Sequence, residues 1–346
     1  MDINELQREN IKNLRPYSTA RDEYKGQASV FLDANENGYG SPTSTKYNRY
    51  PDPLQLDLKD AISKIKGVPI ENTFLGNGSD EAIDLLFRAF CEPGRDNVII
   101  LPPTYGMYEV SAGINNVEVR KVNLLANFQM DLEGISEAID EHTKMIFICS
   151  PNNPTGNSII RTEIETILAN FNGLVVIDEA YINYSRQRTF IPELTEYANL
   201  VILQTFSKAW GLAALRLGMA FASRLIIDIL NKVKPPYNIN QATQDIALEA
   251  LKNVAQVNDW ITQTVSERAT LTTALEGLPM VKKVYPSDAN FILAEVQDAA
   301  ATYNALVEKG IIVRDRSKVV LCEGCLRITI GTPEENETLL QALNTL

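Results

Sequence analysis

Leu200-Val201-Ile202-Leu203-Gln204-Thr205-Phe206-Ser207-Lys208-Ala209-Trp210-Gly211-Leu212 is the stretch on which the fold of this chain turns. It begins as a continuous apolar run, the pattern of a strand buried on both faces. It then passes at once to small hydroxyl residues and a lysine, with Arg216 eight positions beyond that lysine. Working outward, similar short apolar runs lie at residues 74–75, 97–101, 117–119, 144–149, 174–177 and 218–221, separated by amphipathic helical patterns. Runs rich in Val and Ile, bounded by Gly, Pro, Asn or Asp, predict an α/β fold. The large domain should hold a mainly parallel mixed sheet covered by helices on both faces.

Beyond that sheet, residues 240–275 carry apolar side chains at helical spacing, and strands are expected at 290–293, 311–313 and 326–330. These predict a smaller α+β domain. The first 30 residues have too little periodicity to form a domain and are expected to pack on the small domain or on a partner subunit. The boundaries predicted are 1–30 for this arm, 31–260 for the large domain and 261–346 for the small C-terminal domain.

With 346 residues, 45% hydrophobic and 22% charged, the chain has the composition of an ordinary globular protein of about two domains. A net charge of −12 argues against nucleic acid as a partner, because phosphate-backbone binding needs a basic face. The most apolar stretch, 215–230, is interrupted by Arg216, Arg224 and Asp228, so no membrane partner is expected. The first residues lack the basic start and apolar run of a signal peptide, which predicts a cytoplasmic location. Cys322-Glu323-Gly324-Cys325 has CxxC spacing, but a zinc site would need a second pair of ligands, and the single histidine, His142, lies far away in sequence. Two free thiols around a turn, and no metal, are the expectation. One histidine also leaves no Ser-His or Cys-His triad, so the chemistry must borrow a cofactor.

Lys208 suggests which one. A lysine placed just past a buried strand suits Schiff-base chemistry, since an amine that adds to an aldehyde must be partly desolvated to lower its pKa. Thr205, Ser207 and Arg216 could hold the phosphate of pyridoxal 5'-phosphate (PLP). Gly76-Asn77-Gly78-Ser79-Asp80-Glu81 follows a strand and opens a helix, where amides and dipole favour an anion; Ser79 as a simple helix cap is the other reading. Ser150-Pro151-Asn152-Asn153-Pro154-Thr155-Gly156 is a rigid turn at a strand end, from which Asn153 could bond a phenolate oxygen or serve the turn alone. Asp178 closes the run 174–177, and a carboxylate there needs a cation such as a protonated pyridine nitrogen, with a metal or a strand-end cap as alternatives. Tyr181 could then reach the ring hydroxyl, and Tyr105 offers a flat surface for the ring. Arg314 and Arg327, set among apolar residues, suit either anion recognition or a structural ion pair.

Taken together, 150–156, 176–181, 205–208 and Arg216 resemble, in order and spacing, the fold-type I PLP-dependent aminotransferases. Asp33-Ala34-Asn35-Glu36-Asn37, Tyr47-Asn48-Arg49-Tyr50-Pro51-Asp52, 76–81, Phe90-Cys91-Glu92-Pro93-Gly94 and Leu326-Arg327-Ile328-Thr329-Ile330-Gly331 are similar to the histidinol-phosphate aminotransferase family within it. The similarity spans about 17–331. It departs at Gly38, where that family usually has proline, which loosens a loop near the substrate without removing a reacting group.

The resemblance implies Lys208 as the Schiff-base lysine, Asp178 at the pyridine nitrogen, Tyr181 and Asn153 at the ring hydroxyl, and Tyr105 stacked on the ring. It implies a phosphate site of Gly78, Ser79, Asp80, Thr205, Ser207 and Arg216. Tyr17, Asn35, Arg314 and Arg327 would bind substrate, with Tyr50 supplied by the second subunit of a homodimer. Histidinol phosphate and 2-oxoglutarate or glutamate would be the substrates, in a ping-pong reaction. An aromatic or broad-specificity aminotransferase, or a decarboxylase of the threonine-phosphate decarboxylase type, is the alternative the same resemblance allows.

Overall fold

The computed structural model describes residues 2–18 and 29–346; Met1 and residues 19–28, part of the expected N-terminal arm, lie outside the described residues. Strands β1 (Thr73–Asn77), β2 (Asn97–Ile100), β3 (Glu118–Lys121), β4 (Thr143–Cys149), β5 (Leu174–Asp178), β6 (Leu200–Thr205) and β7 (Leu217–Ala222) form one sheet in the order β1-β7-β6-β5-β4-β2-β3. Strand β7 runs antiparallel to both β1 and β6, and the other neighbours are parallel. Every apolar run expected for the large sheet falls in or beside one of these strands.

The runs are continuous because both faces are covered. In β4, Met145 and Phe147 enter the core beside helices Gly78–Phe90, Met107–Ile114 and Arg224–Val233. Ile146 and Ile148, one residue out of phase, enter the core beside helices Leu56–Lys66, Leu132–Ala138 and Arg161–Asn170. Burying each such side chain stabilises by roughly 1.5–3 kcal/mol, so a slip of one residue would exchange the contents of both cores. The register therefore holds the strand ends in fixed relation.

That relation creates the site. Strands β4, β5 and β6 are parallel and end at one edge, with Cys149 opposite Asp178 and Asp178 opposite Leu203. Strand β7 starts at the same edge, where Thr205 faces Gly218, and β1 ends there, where Asn77 faces Leu217. Ligands of open α/β sheets bind beyond such carboxyl ends.

A second, four-stranded antiparallel sheet contains β8 (Val281–Val284), β9 (Phe291–Val296), β10 (Arg314–Asp315) and β11 (Cys325–Thr329) in the order β10-β11-β9-β8. Helices Val254–Glu276, Ala299–Glu308 and Pro333–Leu343 cover one face, burying Ile292, Ala294, Leu326 and Ile328. Arg268, buried on the first of these helices, donates to the carbonyls of Ala289 (2.7 Å) and Tyr184 (3.3 Å), and so ties this unit to the segment after β5.

Several expectations differ from what is seen here. The helical region 240–275 is two helices, Gln241–Ala250 and Val254–Glu276, separated by a 3-10 turn at Leu251–Asn253. Residues 311–313 are not a strand, and Ile312 is 72% exposed; the pairing with β11 begins only at Arg314. The first two helices, Ile3–Leu6 and Glu9–Lys12, pack on the large sheet's helices instead of on the small sheet. Ile3 and Ile11 join the core beside Gly78–Phe90, Arg8 pairs with Glu92 at 3.3 Å, and Lys232 donates to the carbonyl of Lys12. Two isoleucines eight residues apart are too sparse to show periodicity, yet they suffice to dock short helices. No helix among the described residues is long and apolar enough to cross a membrane.

Candidate active site

The turn after β1 is built by close approach. Gly78 has φ +73, open to glycine, and a Cβ there would meet the Arg216 guanidinium at 2.8 Å. A Cβ on Gly218 of β7 would come within 2.2 Å of the backbone of Gly78 and Ser79, so β7 can pass beneath the turn only because residue 218 has no side chain. The turn opens the 13-residue helix Gly78–Phe90, whose first amides point to the sheet edge. Asp80, in its first turn, accepts from the Tyr105 hydroxyl at 3.1 Å and from Arg216 at 3.4 Å. Arg216 itself sits at φ 53, a left-handed conformation uncommon for a side-chain-bearing residue. Across the cavity, the amide of Ser207 donates to Oγ1 of Thr205, and the two hydroxyls lie 3.0 Å apart.

Asp178 ends β5 and is buried. Its Oδ2 accepts from the Tyr108 hydroxyl at 2.8 Å and its Oδ1 from the amide of Ala180 at 3.0 Å. Burial pushes the Asp178 carboxyl up, while these two donors and Lys208 act the other way. A carboxylate offers about four acceptor positions, so two neutral donors leave it short of partners. A cationic N–H at the cavity mouth is the partner this arrangement fits, and a protonated pyridine supplies one.

Lys208 opens onto the cavity, and its ammonium lies 5.5 Å from the centre of the Tyr181 ring. Its side chain is exposed because the cavity is open to solvent, yet the protein around it is sufficient for burial, then the Arg327 charge, to lower its pKa; Asp178 opposes the shift. Asn153, in the turn after β4, accepts through Oδ1 from Arg327 at 2.6 Å. Because arginine only donates, that bond assigns the amide orientation and leaves the NH2 of Asn153 for an acceptor in the cavity. Tyr181 packs edge-on against Phe291 at 5.1 Å, and Arg327 lies over the same ring at 5.2 Å.

Gly78, Ser79, Asp80, Tyr105, Asn153, Asp178, Tyr181, Thr205, Ser207, Lys208 and Arg216 all line one cavity of about 150 Å³. These are the eleven residues expected at a cofactor, drawn from six separate stretches of chain. Donors at one end and a buried carboxylate at the other match the phosphate and pyridine of PLP.

The expected substrate residues are distributed differently. Arg327 reaches the cavity's edge through Asn153, and Arg314 faces it across the β10–β11 ladder. Asn35 and Tyr50 line a different cavity of about 450 Å³, where Tyr50 stacks on Tyr237 at 4.6 Å; Tyr17 is 73% exposed. None of these three lines the Lys208 cavity. Gly38 has nothing within 4 Å of a Cβ position, so the space around residue 38 does not require glycine.

Sequence reasoning missed Tyr108 and Gly218. Tyr108 lies one helical turn after Tyr105, and a phenol three and four positions before the small residues Ser111 and Ala112, on the one face the helix buries, is the signal that could have pointed to a polar partner. Cys149, also unassigned, lines the cavity, and burial pushes its thiol up. Cys322 and Cys325 are buried free thiols pushed up to about 12, and the amide of Cys325 closes a turn on the carbonyl of Cys322.

Residues 23–343 match the aminotransferase class I and II family. A histidinol-phosphate aminotransferase of Cytophaga hutchinsonii is 56% identical over 343 residues, 99% of this chain and 99% of its own. One of Bacteroides thetaiotaomicron is 58% identical over 342 residues, 99% of this chain and 98% of its own. Among solved structures, a histidinol-phosphate aminotransferase of Sinorhizobium meliloti in complex with pyridoxal 5'-phosphate is similar in fold, with a TM-score of 0.78 at 22% identity over 90% of this chain and 89% of that one.

Proposed function

The chain belongs to the aminotransferase class I and II family, and from that premise we propose that it interconverts L-histidinol phosphate and 2-oxoglutarate with imidazole-acetol phosphate and L-glutamate, in histidine biosynthesis. Pyridoxal 5'-phosphate is its cofactor. When bound, it supplies an electron sink for the pair left on the substrate Cα as its proton is removed. The observation that carries the reading is the single cavity holding Lys208, Asp178 and nine further residues of the expected set.

Each residue then has a role set by its chemistry. Asp178, steadied by Tyr108 and the amide of Ala180, would face the pyridine nitrogen and keep it protonated. The NH2 of Asn153 and the hydroxyl of Tyr181 would donate to the ring oxygen, and Tyr105 would give the ring a flat neighbour. The amides of Ser79 and Asp80, the hydroxyls of Thr205 and Ser207, and Arg216 would hold the phosphate. Lys208, once its amine is free, would take the Cα proton and deliver it to the cofactor's carbonyl carbon; a lowered pKa keeps more of that amine in the neutral form a base requires. Arg327 and Arg314 would bind the substrate anion.

A homodimer is part of the proposal. Tyr50 is 50% exposed and, with Asn35, sits at a cavity apart from Lys208, so a second copy would bring its Tyr50 to the site. Two experiments test the reading. Borohydride treatment of the holoenzyme should bleach its visible band and leave a mass label on Lys208; turnover of histidinol phosphate should require 2-oxoglutarate. Release of carbon dioxide without a keto acid would select the decarboxylase instead. Mixing inactive Lys208→Ala and Tyr50→Ala proteins should restore activity through mixed dimers, and no recovery after confirmed subunit exchange would reject the shared site.

A further inference from the structure

The β10–β11 hairpin carries one more arginine than the substrate assignment uses. Arg314 lies directly opposite Arg327 and Asp315 opposite Leu326. The ladder continues one step, since the amide of Arg316 donates to the carbonyl of Cys325 at 2.9 Å. Side chains alternate along a strand, so Arg314, Arg316 and Arg327 share one face. Leu326, on the opposite face, enters the small-sheet core, whereas Cys325 enters the core of the large sheet. The arginine face is therefore the one turned to the cavity, where Arg327 bonds Asn153.

Three guanidiniums on one face need an anion. Among the described residues, no carboxylate forms an ion pair with any of the three, and Asp315 is engaged by the amide and hydroxyl of Ser317 at 2.8 and 2.6 Å. Arg316 is half-buried, and its Nε is enclosed without an acceptor. Burial, then the charges of Arg327 and Arg314, lower its pKa. An enclosed N–H donor without a partner is costly, and like charges held together add to that cost. Both costs are relieved when an anion sits between them.

We infer that Arg316 is a third arginine of the substrate-phosphate subsite and selects a phosphate dianion over a carboxylate. A carboxylate is a monoanion that one guanidinium fork satisfies. A phosphate ester carries close to two charges and three acceptor oxygens, enough to engage further guanidiniums. The two amino donors differ in this respect, as only histidinol phosphate has the dianion. Arg316 thus favours the phosphate half of the exchange, an inference that rests on the histidinol-phosphate reading above.

Arg316→Gln and Arg316→Lys in the holoenzyme test it, with kcat/KM measured separately for histidinol phosphate and for glutamate. Losing one charge-assisted contact should lower the value for histidinol phosphate roughly 10–100-fold in the glutamine variant, and that for glutamate by about threefold or less. Arg316→Lys, which keeps charge without the fork, should shift the ratio in the same direction by a smaller factor, and it carries the test if the glutamine variant fails to fold. Equal losses for both substrates, or none, overturn the assignment. If the wild-type enzyme does not turn over histidinol phosphate, the functional reading fails on its own. The arginine assignment is then decided by inorganic phosphate: its inhibition constant against glutamate must weaken by the same roughly 10–100-fold in Arg316→Gln, and an unchanged constant overturns it.

Discussion

At the carboxyl edge of the seven-stranded sheet, Asp178 and Thr205 end strands buried on both faces; in the four-stranded sheet, Arg314 and Arg327 face each other across a two-residue edge strand. The first region is positioned by the register of a covered sheet, where a slip would displace two cores at once. In the second, Arg327 is fixed on β11, which pairs with β9 at five positions, while Arg314 is held only by the two-residue edge strand, and one bond joins Arg327 to Asn153. The difference separates two tasks. A resident cofactor can be held by groups that never move, while two substrates with different anions must leave after each half-reaction, and an exposed edge with excess cation suits that exchange.

Breaking the first region should cost the cofactor or the chemistry, and breaking the second should cost substrate alone. Lys208→Ala should lower kcat roughly 10⁴-fold or more, with histidinol phosphate still bound, as read by a spectral shift of the bound cofactor. Gly218→Ala should weaken PLP binding about tenfold or more, because the new Cβ forces apart backbone that lies 2.2 Å from it, an overpacking of roughly 1–3 kcal/mol; equilibrium titration of the apoenzyme measures it. Wild-type affinity would mean that β7 and the phosphate turn can separate freely.

Tyr108→Phe should lower kcat roughly tenfold, the size of one hydrogen bond to a charged group, and should also move the acid limb of the pH profile. The sign follows from the donor: the Tyr108 hydroxyl holds the Asp178 carboxyl down against burial, so its removal raises that pKa and the loss of activity begins at higher pH. An unshifted limb would assign the limb to another group. Arg314→Gln, on the exposed edge strand, should reduce kcat/KM for histidinol phosphate by about twofold to fivefold and leave the cofactor band in place. A bleached band would join the two regions that are separated here.

Lys59→Met touches neither region and reads the scaffold alone. Burial, then the nearby Lys234 charge, lowers Lys59 from 10.5 to about 8. Between those values the unfolded chain binds the extra proton, so the wild-type protein should gain stability as pH rises from about 8 to 10.5, and below about 8 it carries the whole penalty. The substitution should remove that slope and stabilise the protein at pH 7 by up to about 3 kcal/mol, seen as a higher Tm with unchanged kcat.

Six of the seven strands of the large sheet were legible because burial on both faces writes an apolar run into each of them, whereas the edge strand β3, Glu118-Val119-Arg120-Lys121, has no buried residue and was marked only by Val119 beside the buried Val117. The eleven cavity residues were legible for a related reason: each follows or opens such a run, at a turn with its own residue chemistry. The small sheet was harder to read. Val281–Val284 has two exposed lysines at its centre, β10 has only two residues, and the apolar 311–313 beside it is not a strand. The short helices near Ile3 and Ile11 are held by tertiary contacts that no local pattern announces.

By itself the sequence determined the layered α/β architecture and the cofactor class, and singled out Lys208, Asp178 and two of the arginines as candidates, because burial periodicity and residue type are local properties. Tertiary structure alone decided which residues meet. It brought Arg327 to Asn153 across 174 positions, Tyr108 to Asp178 across 70, and Arg316 onto the face of its two neighbours. Contacts between distant stretches are set by packing and register, and a linear pattern does not encode which surfaces will close on one another.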